Sequence, residues 1–146
     1  MKTVAEILKS KADRTIYSTT PNASVFDAVT TMAEKNIGAL MVLKAEELVG
    51  MITERDYARK IALMSRSSRE TPVRDIMTSD VLYVGPDRTS DECMALMTEN
   101  RLRHLPVMEG GKLIGLISIG DLVKNVIADQ QFIIEQLEHY ITGERG

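Results

Sequence analysis

The chain has 146 residues, 44% hydrophobic and 27% charged, the mix of a soluble globular protein with one compact domain or two small interdependent ones. A single cysteine, Cys93, excludes an internal disulfide and a cysteine-based zinc site, and only two histidines, His104 and His139, argue against a histidine metal centre. The net charge of −3 gives no global reason to expect nucleic acid, although Arg55 to Arg74 carries a local excess of +4. That stretch is either an attractor for phosphates or a solvated helix face running into a linker. Met1 to Leu8 holds Glu6 and no continuous apolar region, so no secretory leader is expected. The longest apolar runs, such as Ala39 to Leu43, are too short to span a bilayer, and a cytoplasmic protein is the reading.

The sequence is written twice. Sliding the chain by 65 residues sets Pro21–Tyr57 on Pro86–Leu122 without a gap, with Pro21 on Pro86, Met32 on Met97, Leu40 on Leu105, Gly50 on Gly115 and Asp56 on Asp121. A shift of 69 also pairs Val4-Ala5-Glu6-Ile7 with Val73-Arg74-Asp75-Ile76, which places a short insertion after Ile7 in the first copy.

In chain order, each copy opens on a short strand, around Ile16–Ser18 or Val81–Val84. Ser24-Val-Phe-Asp27 and Thr89-Ser-Asp-Glu92 then start a helix, with a hydroxyl cap and a carboxylate three residues on. In the first copy Asn36-Ile37-Gly38 stops it, with Gly38 suited to a left-handed turn. Apolar runs at Ala39 to Leu43 and His104 to Met108 predict a buried strand, and Leu48 to Ile52 and Leu113 to Ile117 a second one. Gly110-Gly111 is good hairpin chemistry, whereas Lys44-Ala45-Glu46-Glu47 is poor, so the bend there rests on the repeat. A second helix begins at Thr53 or Ser118.

The expected unit is therefore β-α-β-β-α, and the fold class α/β, with two such units packed sheet to sheet with pseudo-two-fold symmetry. Repeat 1 is placed at 1–64, a linker at 65–72, repeat 2 at 73–128 and a helical tail at 129–146. Cys93 to Met97 is apolar around the whole helix and Ile61 to Met64 nearly so, which predicts burial on more than one side and a symmetric dimer. The tail, with Phe132, Ile133, Ile134, Leu137 and Tyr140, reads as an amphipathic helix for a second chain or a client protein. The nine methionines read as core filler, Cys93 as a buried small hydrophobe and Ser65 to Arg69 as a polar linker.

Val73-Arg-Asp-Ile-Met-Thr78, Arg103-His-Leu-Pro-Val107, Gly50-Met-Ile-Thr-Glu-Arg-Asp56 and Gly115-Leu-Ile-Ser-Ile-Gly-Asp121, at this spacing, resemble a tandem pair of cystathionine-β-synthase (CBS) domains, a Bateman module, over about residues 1–128. The resemblance implies a regulatory sensor of energy or redox state, without chemistry of its own, that assembles as a homodimer. It also implies an adenosine-containing ligand in clefts between the repeats: AMP, ADP, ATP or NAD(H), ahead of S-adenosylmethionine.

The residues suit that task. A carboxylate accepts hydrogen bonds from both hydroxyls of a ribose, and Asp56 and Asp121 stand three residues after Thr53 and Ser118 at helix starts, where backbone N–H groups favour phosphate. The same spacing is also a capping box that needs no ligand. The duplication, the preceding strand, the neighbouring bases and the resemblance weigh toward a site. The first site is expected from Gly38, Ala39, Thr53, Arg55, Asp56 and Pro106. The second is expected from Met41, Val42, Arg103, His104, Ser118, Gly120 and Asp121, and the resemblance adds Thr20. Arg55 in one copy and Arg103 in the other would hold phosphate, with His104 as a proton-dependent partner. Leu40-Met41-Val42 and Leu105-Pro106-Val107 would wall the adenine, and the resemblance gives Gly85 a backbone contact in the first site.

The alternative function is a ligand-independent scaffold or interaction dimer. Nucleic-acid binding lacks a reader motif, and with no tryptophan and two phenylalanines there is no aromatic interleaving in the basic stretch. Enzyme chemistry lacks a nucleophile–base pair, a metal constellation and a glycine-rich phosphate loop.

Overall fold

In the computed structural model, which describes residues 2–142, the elements follow the repeat. Helix α1 spans Val4–Ser10, β1 Ser18–Thr19, α2 Val25–Lys35, β2 Ala39–Lys44 and β3 Glu47–Thr53. Helix α3, Glu54–Tyr57, continues as a π-helical stretch, Ala58–Ala62. After a short turn at Val73–Asp75 come α4 Ser90–Asn100, β4 His104–Glu109, β5 Lys112–Ser118 and α5 Ile119–Thr142. The expected second helix and tail helix are one uninterrupted α5; the last four residues of the tail lie outside the described residues. No helix among the described residues is long and apolar enough to cross a membrane.

The α/β class holds, with a three-stranded sheet ordered β1-β2-β3 and a two-stranded sheet β4-β5. β1 runs parallel to β2, and the Met41 N–H donates to the Tyr17 carbonyl at 3.2 Å. In the second copy the leading strand shrinks to one bridge, Val84 with Val107. Pro106 is the cause: it stands where the first copy has Met41 and has no N–H to give, so only its carbonyl pairs, accepting from Val84 N–H at 3.0 Å.

One cap differs from expectation, and one turn forms where the repeat predicts it against the local turn chemistry. The left-handed residue that ends α2 is Asn36 (φ 54°), not Gly38; the turn is needed directly at the helix end, where asparagine tolerates it, and Ile37 N–H then reaches back to the Met32 carbonyl. The β2–β3 hairpin closes with Ala45 and Glu46 both at positive φ, 51° and 70°, the conformation that Gly110 and Gly111 take at 58° and 77° in the other hairpin. A two-residue hairpin needs that handedness whatever the side chains. Gly50 has a different reason. A Cβ there would lie 2.6 Å from Met77 Sδ and 3.0 Å from the Thr78 carbonyl, where Thr78 and Met51 exchange backbone hydrogen bonds at 2.9 Å.

Packing divides the described chain into two compact units whose limits cut across the repeats. One takes the residues up to Arg14, Val84–Val107 and the chain from Leu116; the other takes Thr15–Tyr83 and Met108–Gly115. In the first, Val4, Ile7 and Leu8 of α1 are buried with Val84, Cys93, Met97, Leu105, Val107, Ile117 and Leu122. In the second, Val73 and Ile76 are buried with Val25, Ala28, Met32, Leu40, Val42, Ile52 and Ile61. The leading segment of each repeat thus completes the core built by the other repeat's helices and strands. Of the helices expected to be buried all round, α4 buries Cys93 and Met97 and half-buries Met94 and Leu96, whereas Leu63 and Met64 are exposed.

Candidate functional site

Each unit carries one helix start of the same construction. In the second unit Thr53 closes β3 and caps α3: its hydroxyl accepts from Asp56 N–H at 3.1 Å, and Asp56 Oδ2 accepts from Thr53 N–H at 3.0 Å and from its hydroxyl at 3.2 Å. The Gly38 carbonyl accepts the Glu54 N–H at 3.1 Å, and Ala39 stands opposite Thr53 in the β2–β3 register. In the first unit Ser118 Oγ accepts from Asp121 N–H at 3.1 Å, and Asp121 Oδ2 accepts from Ser118 N–H at 2.9 Å. The Arg103 carbonyl accepts the Ile119 N–H at 2.8 Å.

The expected residues are therefore brought together in two groups. Gly38, Ala39, Thr53, Arg55 and Asp56 converge in one unit, and Arg103, His104, Ser118, Gly120 and Asp121 in the other. Pro106 falls in the first unit, and Thr20, Met41 and Val42 in the second, apart from the group to which each was assigned. Val42 is spent in the core, while Met41 and Pro106, one position out of phase with Leu40 and Leu105, are buried outside the core clusters. Arg55, Arg103 and Gly120 are exposed.

Two lysines that the sequence reading missed meet the carboxylates. Lys60 Nζ lies 3.3 Å from Asp56 Oδ1 and donates to the Ile76 carbonyl at 2.8 Å. Lys11 Nζ lies 3.0 Å from Asp121 Oδ2 and donates to the Leu116 carbonyl at 2.8 Å. Lys60 was findable, four residues beyond Asp56 on the same helix. Lys11 left no local signal. The two acids consequently differ. Both oxygens of Asp56 are engaged, whereas Asp121 Oδ1 is left without a hydrogen bond among the described residues.

Burial pushes the His104 imidazole below its ordinary 6.5, with Asp121 pulling the other way and Arg103 and Lys11 adding to the depression. At neutral pH it is an uncharged donor and acceptor. The basic stretch is largely committed to its own unit: Lys60 to Asp56, Arg66 to Asp75 at 3.5 Å, Arg74 to Asn22 at 2.5 Å, and Arg69 over the Phe26 ring at 3.8 Å. Arg55, Arg59 and Arg69 are the members of that stretch without an ion-pair partner among the described residues, and Arg69 is held by the ring. Among the described residues no three His, Cys, Asp or Glu side chains group closely enough to hold a metal ion.

A family model described as "CBS domain" matches residues 4–63 and again 73–128. The chain is 42% identical to the CBS domain-containing protein CBSX3, mitochondrial, of Arabidopsis thaliana, over 97% of this chain and 72% of that one. Among solved structures, a CBS-domain protein of Burkholderia ambifaria MC40-6 ascribed to signal transduction is 63% identical, with a TM-score of 0.86 over 88% of this chain and 96% of that chain. The CBS-domain containing protein ATU1752 of Agrobacterium tumefaciens is 36% identical, with a TM-score of 0.80 over 85% of this chain and 98% of that chain.

Proposed function

The chain belongs to the CBS-domain family as a tandem pair, a regulatory module, and we propose that it binds an adenosine nucleotide at its two Asp-headed helix starts and so modulates a partner protein. The observation that carries this reading is the recurrence of one construction, a capped Asp on the first turn of a helix whose leading N–H is held by the preceding strand's first carbonyl, at Gly38/Thr53/Asp56 and at Arg103/Ser118/Asp121. A ribose would donate its hydroxyls to the carboxylate, and phosphate would meet Arg55 in one group and Arg103 in the other, with neutral His104 as a further hydrogen-bond partner. The open Oδ1 of Asp121 ranks that group first, because both oxygens of Asp56 already hold partners that a ligand would have to displace or share. AMP, ADP, ATP and NAD(H) fit this chemistry ahead of S-adenosylmethionine, which lacks a phosphate.

The exposed apolar residues of α5, among them Ile127, Phe132, Ile133 and Leu137, favour assembly of two copies. They also favour the second reading, a scaffold that works without a ligand.

Thermal unfolding of ligand-free protein with each nucleotide separates the two. A ligand at 100 times its Kd stabilises by about 2.7 kcal/mol, several degrees for a chain of this size. The nucleotide reading expects such a shift from at least one of them, and its reduction in Asp121→Ala. No shift with any of them leaves the scaffold.

A further inference from the structure

Helix α5 leaves its own unit as it runs. Leu122 and Asn125 are its buried residues, whereas every described residue from Gln130 on is exposed. On the face turned away from Leu122 and Asn125, Ile127, Ile134 and Ile141 recur at every seventh position, and Val123, Gln130 and Leu137 alternate with them in a second row. The five apolar members of these rows are 47–79% exposed, and Ile133 and Tyr140, more than half exposed, widen the strip. The exposed surface of these seven residues is on the order of 800 Å², what each side of a stable interface buries. Most of the strip lies beyond residue 128, where the family match ends.

We propose that this strip is the seam of a parallel two-stranded coil formed with the same helix of a second copy of the chain. The inference rests on the assembly of two copies proposed above and assigns its contact. Isoleucine fills one row and the other ends in leucine, the division that favours two parallel strands. Gln130 is the one polar residue in the seam. A parallel pair sets it level with its own copy, where each amide can give and receive a hydrogen bond, and a single polar layer of this kind fixes register and strand number. The charges agree with a second copy as the occupant. From Asn125 to Thr142 the helix carries Asp129, Glu135 and Glu138 and neither lysine nor arginine. None of the three falls on the strip, so pairing brings no like charges together within it. The same acids repel an anionic membrane surface, which lysine- and arginine-rich amphipathic helices seek.

The test is disulfide cross-linking of the full chain under mild oxidation, with Gln130→Cys and Leu137→Cys on the seam and Phe132→Cys on the opposite face. The native Cys93 is fully buried and stays out of the reaction. Both seam variants are expected to form a linked pair of chains, since partners in one layer of a parallel coil stand within disulfide reach, and Phe132→Cys is not. Sedimentation of the parent is expected to give the mass of two copies, and Ile134→Glu to weaken that association about tenfold or more. These positions are exposed in the single chain, so the variants keep its fold, which circular dichroism checks. Equal cross-linking at Phe132→Cys, none at either seam position, or unchanged association in Ile134→Glu overturns the seam. Reaction of Leu137→Cys only with chains carrying Ile127→Cys overturns its parallel sense. A parent of two-copy mass with a failed seam leaves the assembly standing on another surface, whereas a parent that sediments as one copy overturns both and leaves the strip to a client protein. No nucleotide enters the experiment, so its outcome is separate from that of the nucleotide reading.

Discussion

Lys11 Nζ stands 3.0 Å from Asp121 Oδ2 while donating to the Leu116 carbonyl, so the residue that follows α1 closes the start of α5. Lys60 does the same for Asp56 and the Ile76 carbonyl. The repeat conserves the arrangement and not its source: one lysine comes from the acid's own helix, the other from the opposite end of the chain. In both places the carboxylate serves first as a cap and is paired with an ammonium in a half-dry position. A ligand that uses either acid has to compete with that ammonium or share the carboxylate with it.

The Lys11–Asp121 pair should be energetically coupled. Its side chains are 21% and 15% exposed, between a screened surface pair and a buried one. Lys11→Met is expected to lower stability by about 1–2 kcal/mol, and a double-mutant cycle with Asp121→Asn to give a coupling of about 1 kcal/mol. Urea unfolding of the four proteins measures it. A coupling indistinguishable from zero would show that the pair does not form in solution.

His104 should make stability depend on pH below neutrality. Its folded-state value lies below 6.5, so as pH falls the unfolded chain takes up the proton first. Stability contributed by the neutral ring is complete above that value and is lost between it and the lower folded-state value. His104→Gln is expected to flatten the urea midpoint over this window. The imidazole Cε1–H resonance in the native protein should titrate with a midpoint below 6.5, and a midpoint at or above it would contradict the burial described here.

The β2–β3 turn is under strain that its counterpart avoids. Ala45 and Glu46 sit at positive φ, where the Cβ of an L-residue costs roughly 1–2 kcal/mol, part of which glycine's extra chain entropy offsets. Ala45→Gly and Glu46→Gly are each expected to stabilise by about 0.5–1 kcal/mol, and Gly110→Ala to destabilise by a similar amount. Chemical denaturation with unchanged m-values reads this out. Destabilisation by both glycine variants would mean the hairpin closes differently.

Much of the architecture is legible along the chain. The offset of 65 residues aligns both hairpins and both Asp-headed helix starts, and Ser24, Thr89, Thr53 and Ser118 all act as caps, as their spacing to a following acid requires. The half-site residues were legible for the same reason: Gly38 and Thr53, or Arg103 and Ser118, are joined through one hairpin, whose register follows from the alternation of apolar residues. The repeat also foretold a bend at Lys44–Glu47 that turn chemistry argued against, because handedness is imposed by the two paired strands.

The 146-residue count and the charge of −3 first allowed one domain or two, and an acidic chain with a basic stretch. By itself the sequence determined the duplication, the element order, the caps and the family, since each is written in neighbouring residues or in one fixed offset. Only the tertiary structure decided that α1 completes the core of Cys93 and Leu105, that Val73 and Ile76 complete that of Val25 and Leu40, and that Arg66, Arg69 and Arg74 are spent on local partners. It alone decided, too, that Lys11 meets Asp121 and that Asn125 is buried without a hydrogen-bond partner among the described residues. The physical reason is that these depend on which apolar surfaces exclude water together. Packing between remote segments leaves no periodicity in the residues that make it.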